Sequence, residues 1–188
     1  AEPGGGLVAR HRLAHRGLAR QRGLAAFLVR IGELAQARET LQGMIDTPDA
    51  PVNLPAKAWA RRALAELIAD RGNFREVGKA MSLLDANVDA KGEVSLDDSL
   101  LKVKLLSSRP EPASWKRAIE ELENLARRQP LVMGQRIMLA QLMEKVGRWS
   151  EARNELVAVV AAPNVPPAYV ALLVEKLIDH GELAAARP

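Results

Sequence analysis

Two histidines, His11 and His15, stand four residues apart in an arginine-rich segment, a spacing that can present both imidazoles to one metal ion from one face of a helix. A structural metal site takes about four ligands, and no Cys, Asp or Glu stands close by to complete the set. The chain has no cysteine, which removes thiolate metal sites, disulfides and cysteine nucleophiles. The paired carboxylates Asp97 and Asp98 fall at the end of a polar stretch, residues 85–98. They suit the start of a helix, where acidic side chains meet the positive end of the dipole, better than acid–base work. Gly4-Gly5-Gly6 is followed by no Gly-Lys-Ser/Thr, so it is no phosphate loop, and no nucleophile-elbow serine occurs. The chain is therefore expected to be no enzyme and to take no metal or cofactor.

The elements that would position any surface are helical. Alanine, leucine and arginine dominate the composition, all good helix formers, and aromatics make up only 3%. Apolar residues recur at helical spacing and no alternating strand run stands out, so the chain reads as all-α. No run approaches the roughly 18 apolar residues that span a bilayer. Residues 1–6, with Pro3 and three glycines, read as a flexible lead-in, and residues 7–31 as a basic helical segment.

A period organises the rest. Leu105, Leu139 and Leu173 stand 34 residues apart, as do Ala118, Ala152 and Ala186, and Trp115, Trp149 and Leu183. A fixed period of this size filled with helical pattern signals stacked helix pairs. Five units follow: 18–57, 58–98, 99–132, 133–166 and an incomplete 167–188, with residues 1–17 before them. The first two are longer, with extra residues at their exits in the proline-rich stretch 47–55 and the polar stretch 85–98. Gly32, Gly72, Gly147 and Gly181 mark turns between paired helices. The third unit turns instead through residues 107–113, with Pro110 and Pro112, before an amphipathic helix over 115–128.

From about residue 18 onward the chain resembles tetratricopeptide repeat proteins. The run Gly147-Arg148-Trp149-Ser150-Glu151-Ala152-Arg153 matches that family's turn and second-helix start closely. Gly72-Asn73-Phe74-Arg75-Glu76-Val77 and Gly32-Glu33-Leu34-Ala35-Gln36-Ala37 match more loosely. The resemblance implies an α-solenoid of antiparallel helix pairs in a right-handed superhelix. Ala37, Ala65, Ala118, Ala140 and Ala152 would then sit where helices cross at about 8–10 Å. The family's first-helix tryptophan and tyrosine are missing; Arg61, Lys102, Arg136, Ile68 and Met143 hold those places.

In the family, first helices line a concave groove. Carried over, the groove would show Arg22, Ala26 and Arg30, then Trp59, Arg62, Glu66 and Asp70, then Ile137, Gln141 and Lys145. Trp59 beside arginine is the expected anchor. The family's clamp for peptide carboxylates is not expected, since Arg22, Ala26, Ala63, Leu100 and Lys104 occupy its places without asparagines. The implied function is a non-catalytic scaffold that binds a peptide or protein surface, as a segment of a larger repeat protein.

Charge supplies an alternative. Residues 1–30 carry six arginines against one glutamate, while the remainder is nearly neutral. Arg10, Arg12, Arg16 and Arg20 form a basic patch that could meet RNA as helical-repeat readers do. The scarcity of aromatics for base stacking argues against nucleic acid. The last full helix is apolar over a wide arc, so residues 167–183 are expected to pack against another copy or further repeats.

Overall fold

The computed structural model describes residues 5–51, 53–69, 74–88, 92–182 and 184–185, with side chains from Gly17 onward except that of Phe74. The described residues form nine α-helices that follow one another as antiparallel pairs. They divide into two compact units, Ala1–Leu101 and Lys102–Pro188.

In the first unit α1 (Gly5–Ile31) packs on α2 (Leu34–Ile45), α2 on α3 (Leu54–Ala69), and α3 on α4 (Phe74–Asp85). Their shared core holds Leu18, Ala25, Leu41, Met44, Ala60 and Leu64. Gly5 and Gly6, expected in the lead-in, already belong to α1, and residues 1–4 lie outside the described residues. Helix α5 (Leu96–Ser107) begins three residues before the expected unit start at Ser99. Ser95 caps it, accepting the Asp98 backbone N–H at 3.2 Å. Asp97 and Asp98 thus lie inside the first turn of the helix and not in a loop. An isolated antiparallel bridge joins Val88 to Val94; no strand is formed among the described residues.

In the second unit α6 (Pro112–Arg128) packs on α7 (Met133–Lys145), α7 on α8 (Trp149–Val160), and α8 on α9 (Pro167–Asp179). Helix α6 starts on Pro112, whose missing N–H costs nothing in a first turn. It buries Ala118, Ile119, Leu122 and Leu125, the stripe its periodicity predicts. The turn before it, lacking glycine, is closed by the Trp115 indole N–H, which donates to the Arg109 carbonyl at 2.6 Å.

The glycine turns share one device. Gly147 follows α7 at φ 82°, and the next N–H, of Arg148, reaches back to the Met143 carbonyl at 2.8 Å. After α1, Gly32 has φ 84° and Glu33 reaches Leu28 at 2.9 Å; after α9, Gly181 has φ 74° and Glu182 reaches Leu177 at 2.8 Å. Each turn satisfies helix-end carbonyls through a left-handed residue, which glycine adopts without a Cβ penalty. Gly72, the fourth expected turn, lies outside the described residues. The five alanines expected at crossings are all buried: Ala37, Ala65, Ala118 and Ala152 are 0% exposed and Ala140 is 1% exposed.

Candidate functional site

The candidate surface is the run of first helices, α1, α3 and the start of α5, within the first unit. Arg22 of α1 is exposed and sets its guanidinium 4.7 Å from the ring centroid of Trp59 on α3. Trp59 is half-buried and packs against the core shared by α1, α2 and α3. It is therefore part support and part surface, with the arginine stacked over its ring in a cation–π contact. Arg30 is exposed, its guanidinium 5.6 Å from the Phe27 ring. Ala26 and Glu66 are exposed, and Asp70 lies outside the described residues.

Arg62 does not stand open in a groove. Its Nη1 donates to Ser95 Oγ at 3.3 Å, to Asp97 Oδ2 at 3.3 Å and to Asp98 Oδ2 at 3.5 Å. Asp98 is 1% exposed and also accepts a hydrogen bond from Asn87 Nδ2 at 2.9 Å and one from the Ser95 hydroxyl. The arginine fastens α3 to the start of α5, because a buried carboxylate needs charged and polar donors. This network escapes a reading of sequence periodicity, since Asn87 and Ser95 belong to an insertion that breaks the repeat register.

In the second unit Gln141 and Lys145 are exposed, and Lys145 Nζ lies 5.1 Å from the Trp115 ring centroid. Ile137 is a correction. It is 8% exposed and belongs to the core, because α7 is covered by α6 on one side and α8 on the other. The side chains of Arg10, Arg12 and Arg16, like those of His11 and His15, lie outside the described residues; Arg20 is exposed. Among the described residues no group of three His, Cys, Asp or Glu could hold a metal. None of their helices is long and apolar enough to cross a membrane.

His180, to which the sequence assigns no role, joins the turn after α9 to α8. Its ring stacks on Trp149 with centroids 3.8 Å apart and planes 7° from parallel, and its Nε2 meets Glu144 Oε1 at 3.0 Å. Trp149 Nε1 donates to Glu182 Oε1 at 2.7 Å, and Arg153 pairs with the same carboxylate at 2.9 Å. Lys176 pairs with Glu144 at 3.3 Å. Burial pulls the Lys176 ammonium down, but hydrogen bonds and charges of Glu144 and Asp179 outweigh it and hold the ammonium above its ordinary range. On α9 itself Leu177 is buried and Tyr169, Leu172, Leu173 and Val174 are half-buried. Val170 and Ile178 are the large apolar residues left exposed in the stretch expected to self-associate; Leu183 lies outside the described residues.

One buried cation anchors the proline-rich exit of the first unit. Lys57 Nζ donates to the Thr47 carbonyl at 2.7 Å and to Asp49 Oδ1 at 2.5 Å. The hydrogen bond from Lys57, and then its charge, hold the Asp49 carboxyl below its ordinary range. A carboxylate with a depressed folded pKa adds stability above its unfolded value, and that share disappears as the pH falls through the folded value. Melting curves between about pH 6 and about pH 3 should therefore show a smaller acid loss in Asp49→Asn than in the parent. An equal loss in both would show that the pair does not contribute.

The described residues define an all-α helical-repeat protein. The chain is similar to the flexible tandem repeat domain of a bacterial cellulose synthase component, known from a crystal structure. The two are 22% identical, the likeness covers 93% of this chain and 87% of that one, and the TM-score is 0.49. No protein-family model matches the chain, and no curated protein matches it.

Proposed function

We propose that the chain is a non-catalytic, tetratricopeptide-like interaction module that binds a peptide or protein surface on its first-helix face. The observation that carries this reading is the Arg22–Trp59 pair, which spans α1 and α3 at 4.7 Å with the arginine exposed. Aromatic and arginine side chains are the residues that most often carry binding energy at interfaces. Here the ring is held by the core beneath it, so little freedom remains to be lost on binding.

The test is Arg22→Glu in the intact protein, which reverses the exposed charge without opening the core. Partner capture should fall by about tenfold or more, while loss of the cation–π contact lowers the melting temperature by only about 1–4 °C. Trp59→Ala should reduce capture too, but with a loss of stability, since the ring packs on the core. Undiminished capture by both variants would overturn the proposed face. The alternative, RNA bound by Arg10, Arg12, Arg16 and Arg20, has a different signature. It would appear as binding to short RNA that fades steeply with salt and vanishes when those four arginines become glutamines.

A further inference from the structure

The second helices carry a separate feature. Helices α2 and α4 flank α3 and leave between them a cleft of about 720 Å³. Its apolar part is Ile45 from α2, Leu64 and Ile68 from α3, and Leu83 from α4. Among the described residues its charged part is Arg38 from α2, Arg61 from α3 and Lys79 from α4, with Glu39 as the lining carboxylate. The volume falls in the range of ligand-binding clefts.

The cations are not all used by the fold. Arg38 and Lys79 make no ion pair or hydrogen bond among the described residues. Arg61 is held by Nη1, which donates to the Ala86 carbonyl and to Asn87 Oδ1, both at 3.2 Å. That anchoring fixes its planar fork at the cleft, and among the described residues its other nitrogens have no hydrogen-bond partner, an arrangement suited to a carboxylate. Asp49, which feels the charge of Arg61, is itself engaged by Lys57.

We infer that this cleft docks an acidic amphipathic peptide segment of another protein, with apolar side chains on Ile45, Leu64, Ile68 and Leu83 and carboxylates on Arg38, Arg61 and Lys79. Charge complementarity selects the occupant: among the described residues Arg38, Arg61 and Lys79 outnumber Glu39 around an apolar floor, which attracts an acidic partner and repels a basic one. The apolar floor favours a peptide with large aliphatic side chains over a bare polyanion. Glu39 disfavours a carboxylate on its own side, so it sets the orientation of the peptide. This surface differs from the first-helix face proposed above, and either can fail without the other.

The experiment measures fluorescence anisotropy on the intact chain at physiological salt. The probe is a labelled helix-forming peptide with leucines at i and i+4 and glutamates between them. A second peptide carries lysine at every glutamate. The parent should bind the acidic peptide at least tenfold tighter than the lysine peptide. R38E/K79E should lose at least tenfold in affinity with the same melting temperature, and Ser82→Trp, which fills the cleft, should lose a similar factor. Equal affinity in the parent and in both variants would overturn the inference. So would preferential binding of single-stranded RNA or phosphatidylserine vesicles through the same residues. Loss on Arg22→Glu alone would place the peptide on the first-helix face, sinking the cleft while leaving the proposed function intact.

Discussion

Replacing Asp98 with alanine is expected to cost about 3 kcal/mol, mid-range for removing one member of a buried, hydrogen-bonded charge network. Asp98 is 1% exposed and draws together three stretches of chain. Arg62 reaches it from α3 at 3.5 Å, Asn87 from the insertion at 2.9 Å, and the Ser95 hydroxyl from the cap of α5. Asn87 in turn donates to the Ala58 carbonyl at 3.1 Å and accepts from Arg61 at 3.2 Å. Loss of the carboxylate strips the partner from a buried amide N–H and from one contact of a half-buried arginine. It also removes a negative charge from the first turn of α5, where the helix dipole favours one. Asp98→Asn keeps the shape and one acceptor, so its cost should be smaller, about 1 kcal/mol. Urea denaturation of both variants gives the comparison. An alanine variant within about 0.5 kcal/mol of the parent would show that the network specifies geometry without contributing stability.

That network marks where reading from sequence stops. The glycine turns and buried alanines are legible because each recurs at one register and answers a local demand. Gly32, Gly147 and Gly181 all take positive φ, and Ala118 and Ala152, one period apart, are both sealed. Residues in the insertions have no second copy to be compared with. Nothing in the spacing of Asn87, Ser95 and Asp98 from Arg62 indicates that they meet. The face of a helix is legible from periodicity, but not how many faces are covered. Ile137 lies on the stripe assigned to the groove, yet α7 is packed on both sides and the residue is buried. Trp59 illustrates the same limit, since its position beside α1 makes it half core and half surface. The cleft residues Arg38, Arg61 and Lys79 come from three helices, and only the packing of α2, α3 and α4 brings them to one opening.

The alanine register leads to the second large effect: Ala152→Leu should destabilise the second unit by about 3 kcal/mol, the upper part of the range for overpacking a sealed site. Ala152 is 0% exposed on α8, and Ala140 is 1% exposed on α7, against which α8 packs. Helices whose interface carries alanine approach to the near end of the usual spacing of about 8–10 Å. A leucine adds a branched side chain to an interior already at crystal-like density. The pair must then separate or the leucine must leave its preferred rotamer. Ala158, exposed on the same helix, supplies the control. Ala158→Leu has the same composition change and nearly the same helix propensity, so it should stay within about 0.5 kcal/mol of the parent. Thermal melts followed by circular dichroism separate the two. Equal melting temperatures for both leucine variants would mean that the α7–α8 crossing yields to an added side chain, and that the small residue recurring at this register answers no packing demand.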